Sequence, residues 1–197
     1  MILTVAGFKG GVGKTTTAVH LAAYLSRLAP TLLIDGDPNR SATTWARAGK
    51  LPFKVADERL AARYARDYTH MVFDTQARPT EEDLRVLSEG CDLLMVPTTP
   101  DALALDALML TVSALHNMRA SNFVALVTIV PPRPSKDGEE AARILTDAGL
   151  PVFPSHVRRF VAFQKAALSG VPVYDVQDPN AMAAWGDYEA IGKEITG

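Results

Sequence analysis

Three observations predict an α/β fold with a mostly parallel sheet covered by helices on both faces. Short β-branched runs alternate with helical ones, several of those runs are apolar at all but one position, and a glycine-rich loop joins the first strand to the first helix. Ile2–Ala6 is the first strand. From Lys14 to Ala29, Ala18, Leu21, Ala22, Leu25, Leu28 and Ala29 fall on one helical face, and Pro30 stops the helix. Thr31–Ile34 is a second buried strand. Short helices at Ser41–Ala48 and Asp57–Arg66 flank an edge strand at Phe53–Val55. Thr69–Phe73 is a strand followed by an acidic-capped helix at Thr80–Glu89, and Asp92–Val96 leads to a long apolar helix, Asp101–Arg119. After the strand Phe123–Val130 comes a helix at Lys136–Ala148 with acidic residues in its first turn, where the helix dipole favours them. A short strand near Val152 and helices around Arg159–Leu168 and Asn180–Ile195 complete the chain. No repeat, low-complexity segment or linker interrupts it, so residues 1–197 read as one domain.

Composition narrows the function classes. Apolar residues make up 48% and charged residues 21% of the chain, which excludes disorder and coiled coil. No apolar run approaches the roughly 18–20 residues that span a bilayer, and the first residues lack a signal-peptide pattern. The single cysteine, Cys91, excludes a disulfide framework or a four-thiolate cluster within one chain, and the four histidines show no metal-ligand spacing. A cytoplasmic protein is expected. The net charge of −2 argues against a surface that coats nucleic acid, although residues 1–50 carry six basic against two acidic side chains.

The strongest signal is Lys9-Gly10-Gly11-Val12-Gly13-Lys14-Thr15-Thr16, between the first strand and the first helix. Glycines let the backbone N–H groups of such a loop approach phosphate oxygens, and the helix N-terminus adds unpaired donors. Lys14 can reach the β- and γ-phosphates and Thr15 can place its hydroxyl on Mg²⁺, so ATP or ADP with Mg²⁺ is the expected ligand of a P-loop NTPase domain. The general P-loop pattern would require glycine at position 8, where the chain has Phe8, and Lys9 precedes two glycines.

This form resembles the deviant Walker A motif of the ParA/MinD family of partition and positioning ATPases. The resemblance implies that Lys9 is the signature lysine, which reaches the partner's phosphates in a nucleotide-sandwiched dimer. Leu32-Leu33-Ile34-Asp35-Gly36-Asp37-Pro38 resembles the family's second motif. It implies that Asp37 positions the attacking water and that Asp35 holds the loop and the magnesium shell. Met71-Val72-Phe73-Asp74 resembles Walker B, with Asp74 reaching Mg²⁺ through water. The following Thr75-Gln76-Ala77-Arg78-Pro79 departs from the family pattern and leaves Gln76 and Arg78 without a role. Arg158-Arg159 followed by Gly170-Val171-Pro172-Val173 resembles the family's R…GxPV segment, with Lys165 where relatives often carry an acid. Arg158, Arg159 and Lys165, with no acidic residue between Leu150 and Tyr174, form a candidate patch for non-specific DNA. Topology places Thr128–Pro134 near the adenine.

The resemblance therefore implies an ATPase switch for plasmid, chromosome or protein-compartment positioning. It would dimerise with ATP, bind non-specific DNA in that state, associate with the nucleoid, and answer to a ParB-like or cargo-adaptor partner. The chain opens at the first strand, as expected of the small type without an operator-binding domain. The alternatives are a MinD-like membrane-associated switch and a P-loop metabolic ligase. A membrane switch calls for a basic amphipathic ending, and residues 185–195 are acidic and interrupted by glycines, so no membrane contact is expected.

Overall fold

The computed structural model describes residues 1–47 and 49–197, so the last position of the expected Ser41–Ala48 helix lies outside the described residues. Six parallel strands form one sheet: β1 (Ile2–Gly7), β2 (Thr31–Gly36), β3 (Lys54–Asp57), β4 (His70–Ala77), β5 (Leu93–Thr98) and β6 (Phe123–Val127). Their order is β3-β2-β4-β1-β5-β6. The chain winds outward from β1 to β2 and β3, returns to insert β4, then leaves on the other side through β5 and β6. Strand order reverses at β1, and in open α/β sheets ligands bind outside the carboxyl ends of the strands at that point.

Around the sheet lie α1 (Lys14–Leu25), α2 (Ser41–Ala46), α3 (Ala61–Tyr64), α4 (Glu81–Glu89), α5 (Ala102–Asn117), α6 (Asp137–Asp147), α7 (Val161–Ser169) and α8 (Ala181–Thr196). Alternation along the strands sorts the core. Leu3, Val5, Leu33, Val72 and Met95 pack with α1, α7 and α8, whereas Leu94, Val96, Ala125 and Val127 pack with α5 and α6. Both faces are thus covered, which explains why β1 is apolar on both faces apart from Thr4.

Local chemistry accounts for the departures from expectation. Helix α1 stops at Leu25 rather than Ala29, because the Ser26 hydroxyl donates to the Ala23 carbonyl and Leu28 stays 56% exposed, outside the core. Strand β6 ends at Val127 rather than Val130. Ile129 there takes a left-handed backbone (φ 54°), which a β-branched residue adopts only under strain. The expected strand near Val152 is a single bridge to Ala125. Thr80 caps α4 in a reciprocal capping box with Asp83, as the acidic first turn suggests.

Candidate nucleotide site

Residues Phe8–Gly13 leave the end of β1 and enter α1. Gly11 and Gly13 have φ of 80° and 81°, a left-handed backbone that glycine adopts without strain. Gly13 is the N-cap of α1 and supplies no side chain, so the N–H groups of the first helical turn point into the loop unpaired by any cap. The loop is held from below: Val12 is buried, and the Thr128 hydroxyl donates to its carbonyl at 2.8 Å while also lying 3.0 Å from the Thr98 carbonyl. One side chain therefore ties the loop to the ends of β5 and β6.

Two strand ends, those of β2 and β4, bring carboxylates to this loop. Asp35 and Asp74 are register partners across β2 and β4, and Val5 of β1 pairs with Asp74 on its other side. Lys14 sits between them and the loop. Burial lowers its ammonium from the ordinary lysine range, while Asp74 and then Asp37 pull it back up. Its Nζ donates to the Lys9 carbonyl at 3.2 Å.

Asp74 carries the most telling environment. Both of its carboxylate oxygens are buried, and among the described residues no donor meets them with hydrogen-bond geometry. Burial pushes its carboxyl up to about 7; the nearby Thr15 hydroxyl favours the charged form, whereas Asp35 and Asp37 oppose it. A buried carboxylate without partners, beside a threonine hydroxyl and a phosphate-shaped loop, fits a hydrated Mg²⁺, which takes few protein ligands and completes its shell with water and phosphate oxygens. Among the described residues no group of three or more His, Cys, Asp or Glu could hold a metal by itself. Thr15 and Asp74 are the groups that would hold it.

Asp35 holds the loop, as the resemblance implies. Its Oδ1 accepts from the Asp37 amide at 3.2 Å, and its Oδ2 accepts from the Thr43 amide at 2.8 Å and the Thr43 hydroxyl at 2.6 Å. Both oxygens accept from the loop and from the first turn of α2, so Asp35 shapes the loop. Arg40, at φ 53°, reinforces this by donating to the Asp35 carbonyl and pairing with Asp57 at 2.7 Å. Asp37 stays half-buried with one oxygen accepting from the Asn39 amide, and it faces Lys14. Lys9 pairs with Asp101 at 2.8 Å, a contact that sequence reading missed.

The candidate DNA patch needs correction. Arg158 forks onto Asp187 of α8 (Nη2 to Oδ1, 2.7 Å; Nε to both oxygens, 3.1 Å), and Lys165 pairs with Asp178 at 2.7 Å. The acid-free stretch from Leu150 to Tyr174 is met in space by acids from further along the chain. Arg159 is exposed, and no ion pair holds it among the described residues. Arg158 and Arg159 instead border a cavity of about 320 Å³ against Gly13 and Thr16, walled by Thr128, Ile129, Phe160 and Phe163, with the Gln164 amide as a polar group. Of the Thr128–Pro134 segment expected near the adenine, Thr128 and Ile129 line this cavity, whereas residues 130–133 line another. Phe160, Phe163 and Gln164 were not legible, because nothing local distinguishes them from packing residues of α7.

Sequence comparison places these features among known proteins. Residues 3–173 match the CobQ/CobB/MinD/ParA nucleotide binding domain. The "Maintenance of carboxysome distribution protein A" of Gloeobacter kilaueensis is 36% identical over 98% of this chain and 93% of its own length. The apo McdA structure from Cyanothece superposes with a TM-score of 0.77 at 17% identity, covering 100% of this chain and 99% of its own. The MinD cell division protein of Aquifex aeolicus gives 0.78 at 16%, with 100% and 96% coverage. The chain belongs to the CobQ/CobB/MinD/ParA family of nucleotide-binding domains.

Proposed function

We propose that this protein is a Mg²⁺-dependent ATPase that pairs with a second copy around ATP and uses that switch to position a cargo. The observation that carries the reading is the convergence of Lys9, Lys14 and Thr15 on the loop with Asp37 and Asp74 at the neighbouring strand ends. Within it, the unpaired N–H groups of α1 and the Lys14 ammonium bind the phosphates, and Asp37 orients the attacking water. The cavity beside Thr128 and Gln164 takes the base. Mg²⁺, when bound with the nucleotide, offsets the charge on the phosphate oxygens. Catalysis of this kind is chiefly positioning and charge stabilisation.

The relative from Gloeobacter kilaueensis supports a protein-bounded compartment as the cargo class, since its name describes carboxysome distribution and it aligns along nearly the whole chain. In this reading the ATP-bound dimer holds non-specific DNA and an adaptor protein triggers release. With Arg158 and Lys165 internally paired, Arg159 is the contact expected from the original patch, doubled by dimerisation. The membrane alternative gains no support from α8, whose Trp185, Tyr188 and Ile191 are buried in the core. The deciding experiment measures oligomeric state and binding to random duplex DNA with ATP, ADP and no nucleotide. ATP-specific pairing with salt-sensitive DNA binding is expected. A monomer in ATP, or turnover that requires a small-molecule acceptor, would overturn the reading in favour of a metabolic ligase.

A further inference from the structure

Lys9 is tied down at both ends. Its carbonyl accepts from the Lys14 ammonium, and its own ammonium meets Asp101 Oδ1 at 2.8 Å across 92 residues of sequence. Asp101 is well set to receive it. As the N-cap of α5 it accepts from the Ala104 amide at 3.0 Å through Oδ1, and its Oδ2 accepts from the Thr99 hydroxyl. Lys9 and then Thr99 hold the Asp101 carboxyl down at about 2, so it is charged wherever the protein is folded. We propose that Asp101 is a positioning residue that keeps Lys9 on its own protomer and thereby restrains ATP-dependent pairing. This rests on the reading of Lys9 as the group that crosses to the partner's phosphates.

The chemistry of release follows from the contacts. Lys14 is drawn to the phosphates when nucleotide enters, which frees the Lys9 carbonyl and loosens the loop. The Lys9 side chain, however, stays with Asp101 until a phosphate on a second copy offers a stronger acceptor. The restraint is a brake rather than a lock, because Lys9 is 34% exposed and Asp101 53% exposed, and an ion pair in such a setting shifts an equilibrium by only about two- to fivefold. A symmetric dimer must release two such pairs, so the effect compounds to roughly 4–25-fold in the dimer dissociation constant. A merely structural Asp101 would do nothing beyond capping α5.

Asp101→Asn separates these roles, since the amide oxygen still accepts from Ala104 and the amide group still meets Thr99, while the charge that holds Lys9 is gone. Two measurements are made on wild type and variant: the dimer dissociation constant by sedimentation with Mg²⁺ and a non-hydrolysable ATP analogue, and the rate of Lys9 acylation by an amine-reactive ester in nucleotide-free protein, read by mass spectrometry. The expected result is pairing tightened by about 4–25-fold and Lys9 acylated several-fold faster. Wild type that pairs, with a variant that pairs no better or acylates no faster, overturns the restraint and leaves the proposed function standing. Failure of both proteins to pair overturns the dimer reading, and the restraint with it.

Discussion

The two ends of α1 live under opposite rules. At the N-terminal end, Lys14 and Thr15 face a buried carboxylate, Asp74, whose oxygens have no partner. Two turns on, His20 is buried with both ring nitrogens satisfied: Nδ1 bonds the Thr16 carbonyl at 2.7 Å and Nε2 accepts from the Val173 amide at 3.1 Å. Only a neutral imidazole can donate from one nitrogen and accept at the other. The ring stacks on Tyr188 and meets Trp45 and Phe163 edge-on, and the Tyr188 hydroxyl finds Thr17. One helix thus joins a site that is electrostatically incomplete to a core that is complete. The difference shows where stability is surrendered for ligand binding and which contacts offset it.

The comparison can be broken most sharply at Lys14. Lys14→Ala should weaken ATP-dependent turnover by about 10²–10³-fold, the cost of losing one preorganised charged donor, while the aromatic cluster and the fold stay intact. Calorimetric ATP binding at wild-type affinity would show that the loop does not hold the phosphates.

Protonation offers a second break, because the two ends respond to pH with opposite sign. Burial lowers the His20 imidazole from 6.5 to about 4, so between those values the unfolded chain binds a proton that the folded one refuses. Stability from His20 is full above about 6.5 and is lost as pH falls toward 4, in total roughly 3 kcal/mol. Asp74, raised to about 7, keeps its proton in the folded state where the unfolded carboxylate has lost it, so its contribution declines as pH rises from about 4 to 7. In nucleotide-free wild type these slopes oppose each other. Asp74→Asn should remove one and expose the other. Urea titrations of that variant should show stability rising by up to about 1.4 kcal/mol per pH unit across the His20 window, together with loss of Mg²⁺-dependent hydrolysis. A flat profile in the variant would mean that His20 is not held neutral.

Packing at the complete end has little slack. A Cβ at Gly192 of α8 would stand 2.5 Å from the Tyr24 ring of α1, so Gly192→Ala should destabilise by about 1–3 kcal/mol in chemical denaturation without altering nucleotide affinity. The smallest effect separates two adjacent arginines. Arg158→Ala strands Asp187, which is only 9% exposed, and should lower stability by about 1 kcal/mol. Arg159→Ala should stay within about 0.5 kcal/mol of wild type and instead reduce the salt slope of DNA binding by about 2, one for each copy in the dimer.

Sequence reading reached the incomplete end far better than the complete one. The Gly10–Thr16 loop and the aspartates at the ends of β2 and β4 are local in the chain, and their residue types follow from phosphate and magnesium chemistry. The α/β alternation was legible for the same reason, since periodicity is a property of a short window. What escaped was non-local. Asp101 reaches Lys9 from 92 residues away, Asp187 reaches Arg158 from 29, and His20 finds Val173 from 153. No window contains both members of such a pair. Charge counted along a segment therefore misjudged which cations were free.

Thr128 has a consequence for how the protein tells one nucleotide from another. Its hydroxyl spans the Val12 and Thr98 carbonyls, and the residue lies in the wall of the cavity that borders the first turn of α1. Whatever fills that cavity presses on the residue that sets the height of the phosphate loop. With the base in that cavity, as proposed above, base fit and phosphate grip would be geared together through a single side chain, and a purine of the wrong shape would be discriminated against at the phosphates.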